Sequence, residues 1–298
     1  MQIDRQGSIW MNGAATPDVI QHRLALGCAR LGSVLGRDRA EALHLVQTAF
    51  DRGIRFFDTA NIYGQGESER ILGAALRGRR QRTTIVTKAG QYFPAWMRAA
   101  KPFKCLITPL IRQNGAGRHL VSRAREAPLP RDFSDRALHA SLEASLRRLK
   151  TDYVDLFLLH SPHPDVITKG EALGSLEKLR AAGKAVKIGI SCEDVESGLL
   201  ALDDSRVDAV ELPLWPITEA TEGFLDRARR RRVFVIGRGL MSATPPSSNG
   251  DRWPVARAAL ASSLPRGEIS RILIGTTRLA HLNQVLDAVQ DAENATCL

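Results

Sequence analysis

Only four cysteines occur in the 298 residues, Cys28, Cys105, Cys192 and Cys297, and no two of them form a C-x-x-C pair. Neither a zinc site nor a disulfide framework is built from such scatter, so reduced thiols and no bound metal are expected. No apolar run approaches the roughly 20 residues that cross a bilayer. The amino terminus, MQIDRQGSIWMNGAATPD, also lacks the basic-then-apolar order of a secretory signal. The expectation is a cytoplasmic protein with no membrane partner. G-x-G-x-x-G spacing is missing too, since LALGCARLGSVLG has its glycines at 27, 32 and 36, and there is no Walker A motif. An open, doubly wound dinucleotide-binding sheet normally carries the first of these after its first strand.

Acidic residues are in deficit, 32 against 42 Lys and Arg, for a formal charge of +10. Most of the excess falls in one place: residues 91–132 hold eight basic side chains against Glu126 and Asp132. No nucleic-acid-binding motif accompanies the charge, so nucleic acid is not an expected partner. Aromatic residues are scarce at 5% of the chain, yet Tyr92, Phe93, Trp96 and Phe103 crowd into this same segment.

What the chain does have is eight short apolar runs: RLALG, IRFFD, TTIVTK, DYVDLFLLH, AVKIGIS, VDAVELP, RVFVIGR and RILIG. Continuous rather than alternating apolar runs are what parallel strands covered on both faces require. The stretches between them read as helices. In DRAEALHLVQTAFDRG, Asp38 can cap, Glu41 completes a capping-box pattern, and Leu43, Val46 and Phe50 share a face. Ser134 caps the helix in SDRALHASLEASLRRLK, and a last helix covers about 279–290 before a frayed AENATCL end. Eight strands alternating with helices predict an α/β fold, a TIM (β/α)8 barrel forming a single domain over 1–298. The exception is a long loop after strand 3, the basic insertion at 91–133, read as lying over the active-site face and as a candidate lid.

On that barrel, Asp58 ends strand 2, Lys88 ends strand 3 and His160 ends strand 4, with Tyr63 one tight loop beyond strand 2. All four converge on the face where barrel enzymes work. Taken singly, Asp58 could cap a turn, Tyr63 fill the core, Lys88 extend its charge to water and His160 be a satisfied core imidazole. Ionisable groups finishing three apolar strands are not expected from burial alone, because unpaired buried charge is costly. Together they suit protonation of a carbonyl oxygen. A tyrosine hydroxyl of pKa about 10 is a reluctant acid, a neighbouring lysine favours its phenolate, and a carboxylate keeps the lysine charged. His160 can then hydrogen-bond the same oxygen.

At this point the chain resembles a known family. FFDTANIYGQGESERILGAAL, TTIVTKAG, DYVDLFLLHSPHPD, VKIGIS and ILIGTTRLAHLNQVL look like successive signatures of the aldo-keto reductases, in order, over nearly the whole chain. The resemblance implies an oxidoreductase that binds NADP(H) across the strand ends without a Rossmann domain and interconverts a small carbonyl with an alcohol. It implies Tyr63 as general acid and base, with Asp58, Lys88 and His160 completing the tetrad; Asn61 is read as a loop hydrogen-bonder. For the cofactor it implies Asp58, Ser191, Cys192 (usually asparagine) and Glu211 (usually glutamine) around the nicotinamide. Gly237, Arg238 and Leu240 would pass the ring and pyrophosphate, with Arg238 as a phosphate partner. Gly275, Thr276 and His281 (often arginine) would meet the adenosine phosphate, with Arg278 as a substitute donor and Val285 where relatives carry asparagine. NADPH/NADP+ is the expected cofactor, and NADH is left open.

Two other enzyme classes and a non-enzymatic reading compete. Lys88 alone would suit a Schiff-base lyase. HSPHPD brings His160, His163 and Asp165 together, short of the ligands a metal hydrolase needs. The departures at Cys192, Glu211 and Val285 would suit a cofactor-binding regulatory barrel. Substrate identity and oligomeric state are not legible in the chain.

Overall fold

The computed structural model of the protein describes residues 23–33, 37–94, 97, 128–240 and 253–296. Eight parallel strands close on themselves in chain order: β1 Leu24–Gly27, β2 Phe56–Asp58, β3 Thr84–Ala89, β4 Val154–His160, β5 Ala185–Ser191, β6 Ala209–Pro213, β7 Phe234–Arg238 and β8 Arg271–Gly275. The closing pair joins β1 to β8, with Gly27 opposite Gly275. Each expected run became a strand, and Lys88 is the penultimate residue of β3 rather than its last.

Because side chains alternate along a strand, the barrel divides its apolar residues into two cores. Leu26, Phe57, Ile85, Phe157, Ile190, Val235 and Ile274 point outward and join the helices in the larger core. Ala25, Phe56, Val86, Leu156, Leu158, Ala209, Phe234, Ile236 and Leu273 point inward and fill the lumen. The same parity carries Asp58, Lys88, His160, Ser191, Glu211 and Arg238 to the lumen side at its carboxyl end. Small residues make room there: a methyl group on Gly189 would lie 2.0 Å from the Ala209 carbonyl oxygen, so β5 and β6 approach each other only because that position is bare.

The surrounding helices are α1 Arg39–Asp51, α2 Glu67–Ala75, α3 Asp135–Leu149, α4 Pro164–Lys169, α5 Glu171–Ala181, α6 Val195–Ala201, α7 Glu219–Arg231, α8 Trp253–Ser263 and α9 Leu279–Thr296. Asp38 caps α1 by accepting from the Glu41 amide at 2.8 Å, but Glu41 pairs with Arg37 instead of returning to the cap, so the capping box is half made. The buried face of α1 is Ala42, Leu45, Val46, Ala49 and Phe50, and Leu43 lies at its edge. Ser134 caps α3 as expected. Helix α9 runs on to Thr296, six residues past the expected stop, which corrects the frayed end.

At the amino-terminal end of the lumen the rings of Phe56 and Phe234 stack at 6.0 Å. The guanidinium of Arg271 lies 5.4 and 5.2 Å from their centroids. Its pKa is pushed down to about 10 by burial. Among the described residues no helix is long and apolar enough to cross a membrane.

Candidate active site

The loop after β2 is held to β3 by backbone bonds that continue the sheet past its last formal residue. Thr59 donates to Val86 O at 2.9 Å and Asn61 to Lys88 O at 3.2 Å. A short turn, Tyr63–Gln65, follows, and Gly66 at φ 81° starts α2 in a left-handed conformation that glycine adopts without strain. Tyr63 is thereby fixed beside the lumen mouth. Asn61, expected as a loop hydrogen-bonder, donates through Nδ2 to Gln91 O at 3.1 Å. Gln91 in turn reaches His160 O with its side-chain amide.

Lys88 is completely buried, and its Nζ donates to Asp58 Oδ1 and to Thr59 O. A second carboxylate that the sequence did not link to it lies across the lumen: Glu211 Oε2 is 3.1 Å from Nζ. The same ammonium sits 5.4 Å from the centre of the Tyr63 ring, and the His160 ring meets Tyr63 edge-on with centroids 5.8 Å apart. The four side chains expected to form a tetrad are therefore neighbours. Among the described residues none hydrogen-bonds the Tyr63 hydroxyl, and the buried Nδ1 of His160 has no partner.

Burial and charge set the ionisation of this group. Burial alone would pull the Lys88 ammonium down, but the Asp58 and Glu211 carboxylates outweigh it and hold its pKa above the ordinary lysine value. The Asp58 carboxyl is pushed up to about 8, first by burial and then by Glu211, against the pull of Lys88. Cations nearby and burial above all keep His160 neutral, well below the usual imidazole range. Tyr63 corrects an expectation. Lys88 does favour its phenolate, but burial, Asp58 and Glu211 prevail and the phenol pKa is raised.

The remaining expected cofactor residues separate into four groups. Ser191 and Glu211 belong to the mouth: Ser191 Oγ donates to Glu211 Oε1 at 3.2 Å, and their Cα atoms are partners in neighbouring strands. Cys192 is a correction, because one residue beyond β5 its fully buried thiol faces the outer core, leaving only its carbonyl toward the mouth. Leu240 likewise joins the outer core, as does Val285, which faces the barrel from α9. Arg238 is clamped rather than extended. It donates to Cys192 O at 2.8 Å, pairs with Glu193 at 3.3 Å and approaches Glu211 at 3.7 Å. Gly275 is exposed with open space where a side chain would be, and Thr276, Arg278 and His281 surround the start of α9. The Thr276 hydroxyl accepts from the Arg278 amide at 3.1 Å.

Sequence reasoning missed Glu193, which also accepts from Ser161 Oγ, and Trp215. The indole of Trp215 covers Gly237 so closely that a methyl group there would lie 2.8 Å from the ring, and its Nε1 donates to Ser263 Oγ. The tryptophan in LPLWP, directly after an inward carboxylate, was the available clue. Of the insertion, the stem is described: Gln91 bridges Arg131, Tyr92 donates to Pro130 O and Asp132 to Gly90 O. Trp96, Phe103 and the basic residues from Arg98 to Arg125 lie outside the described residues. Beside the stem, a recess of about 430 Å³ is lined by Arg131, Phe133, His163 and Lys169. Among the described residues no three His, Cys, Asp or Glu side chains are gathered as a metal site.

A family model described as the Aldo/keto reductase family matches residues 23–242. The chain is 32% identical to 6-dehydroglucose reductase of Agrobacterium fabrum over 57% of its own length and 49% of that protein's. It is 31% identical to D-threo-aldose 1-dehydrogenase of a Pseudomonas species over 88% of its own length and 87% of the other. An aldo-keto reductase from Bacillus halodurans shares the fold at a TM-score of 0.69 and 23% identity, over 90% of this chain and 86% of that one. A Klebsiella pneumoniae aldo/keto reductase solved with NADP and acetate does so at 0.63 and 19%, over 90% and 85%.

Proposed function

The chain belongs to the aldo/keto reductase family, and on that premise we propose that it is an NADP(H)-dependent oxidoreductase interconverting a small aldehyde or ketone with the alcohol. The observation that carries this reading is a fully buried Lys88 ammonium that touches the Asp58 carboxyl group while lying against the Tyr63 ring, with a neutral His160 meeting that ring edge-on. Bound NADP(H) supplies or takes up the hydride at the substrate carbon.

The residues present fit such a group. Glu211 Oε2 is a buried acceptor to which no hydrogen bond is donated among the described residues, and an amide donor such as the nicotinamide carboxamide would satisfy it. Ser191 adds a hydroxyl beside it. Gly275 leaves its backbone open, and the start of α9 offers the amide donors that favour a phosphate. Arg278 and His281 there are the exposed side chains that would prefer NADPH to NADH.

In reduction Tyr63 gives its hydroxyl proton to the carbonyl oxygen, and in oxidation it takes that proton back. With its pKa raised, the phenol stays protonated and ready to donate. Lys88 supplies the positive charge that stabilises the phenolate left behind, and Asp58 holds Lys88 in place. His160, being neutral, has one N–H with which to orient the carbonyl. A Schiff-base role would need a neutral amine, whereas Lys88 is kept charged between two carboxylates.

Tyr63→Phe tests this. Turnover should fall by at least about 100-fold while NADPH still binds in a fluorescence titration, because only the transferable proton is lost. Ordinary turnover in that variant would sink the assignment.

A further inference from the structure

Five ionisable side chains converge at the mouth: the carboxyl groups of Asp58, Glu211 and Glu193, and the cations Lys88 and Arg238. Lys88 serves Asp58 and Glu211 together, and Arg238 serves Glu211 and Glu193 together. With Asp58 holding its proton at neutral pH, Glu211 and Glu193 balance Lys88 and Arg238. Glu211 links the two halves. It is 1% exposed, with Oε1 taken by Ser191 and approached by Arg238, and Oε2 close to Lys88 yet without a hydrogen bond. The raised Asp58 pKa has the same origin, since after burial its largest cause is Glu211. An amide at position 211 would remove one of these negative charges and leave the positive ones in excess.

A buried carboxylate with a vacant lone pair favours a partner that donates a hydrogen bond and carries positive charge. We propose that Glu211 is a redox-tuning residue, holding the oxidised, cationic nicotinamide more tightly than the reduced, neutral one. This rests on the nucleotide reading above and deepens it. Carbonyl, reduced cofactor and the Tyr63 proton become alcohol, oxidised cofactor and phenolate, and the phenolate regains its proton from solvent. Positive charge grows on the ring as hydride leaves, and Glu211 stabilises that change. The bound reduced cofactor is thereby a stronger hydride donor than the free one. A tenfold difference in affinity between the two forms makes the potential of the bound two-electron couple about 30 mV more negative.

The test is a pair of equilibrium titrations, NADP+ and NADPH, by tryptophan fluorescence on the unmodified chain and on Glu211→Gln. NADP+ affinity relative to NADPH should fall by about tenfold in the variant. A misfolded fraction lowers the stoichiometry of both titrations equally, so the ratio reports charge rather than structural damage. Should Glu211→Gln not fold, Glu211→Asp, which withdraws the charge by one methylene, should move the ratio several-fold in the same direction. A ratio that stays within twofold in the variant overturns this proposal alone. If neither nucleotide binds the unmodified chain, the nucleotide reading falls and takes this one with it.

Discussion

The barrel buries a cation at each end of its lumen, and the two are treated in opposite ways. At the amino-terminal end Arg271 spreads over the faces of Phe56 and Phe234, and burial pulls its pKa down to about 10. At the carboxyl end Lys88 is gripped by Asp58 and Glu211, and its pKa is driven above the ordinary value. An aromatic clamp satisfies a charge with polarisable surface and leaves little around it that can titrate. A carboxylate clamp fixes the charge firmly but ties it to neighbours whose protons can move. Closing the bottom of a barrel suits the first arrangement, and moving protons suits the second.

The largest test of this contrast removes each cation in turn. Lys88→Met leaves Asp58 and Glu211 without the ammonium between them, only Arg238 remaining beside Glu211, and should cost about 3–5 kcal/mol. Arg271→Met keeps an apolar stem against the two rings and should cost no more than about 2 kcal/mol, with turnover intact. Urea unfolding of both variants measures this, and equal losses would erase the distinction drawn between the two ends.

A smaller effect sharpens the same comparison through pH. The folded-state pKa of Asp58, about 8, lies above its unfolded value. The folded protein therefore holds a proton that the unfolded chain has released, and this carboxyl contributes less stability as pH rises between the two values. Glu211→Gln removes a main cause of the shift. The variant should gain stability relative to the unmodified protein as pH climbs from about 4 toward 8, by about 1.4 kcal/mol for each pKa unit relieved. Parallel curves of melting temperature against pH would contradict it. No such dependence is expected from Arg271→Met.

The smallest change concerns the insertion. Removing residues 95–127 while keeping the stem should raise the Michaelis constant for the carbonyl by about tenfold and leave NADPH affinity unchanged. An unaltered Michaelis constant would end its reading as a lid.

The strands were legible because each is covered on both faces, so its apolar run is continuous and its length evident. The convergence of Asp58, Lys88 and His160 followed, since a residue finishing a parallel strand has one place to go. The pairing of Lys88 with Glu211 was not readable. It joins strands 3 and 6, which are not neighbours, and forms across the lumen where no sequence interval encodes distance. The direction of the Tyr63 shift failed chiefly because burial, which penalises the phenolate more than Lys88 favours it, is a property of the fold and not of the motif. Cys192 was misjudged by parity: one step past an inward Ser191 turns the next side chain outward. The pairing of Arg238 with Glu193 was not readable either, because Glu193 comes from a loop.

The stem of the insertion has a consequence for how this protein can change over evolutionary time. Gln91 and Arg131 stand opposite each other, so the chain departs and returns at a single doorway, and Asn61 fastens that doorway to the loop beneath it. Whatever is spliced in beyond it can lengthen at a cost that grows only as the logarithm of its length. New appetites can thus be tried by exchanging the graft while the rootstock, with its buried ions, is left undisturbed.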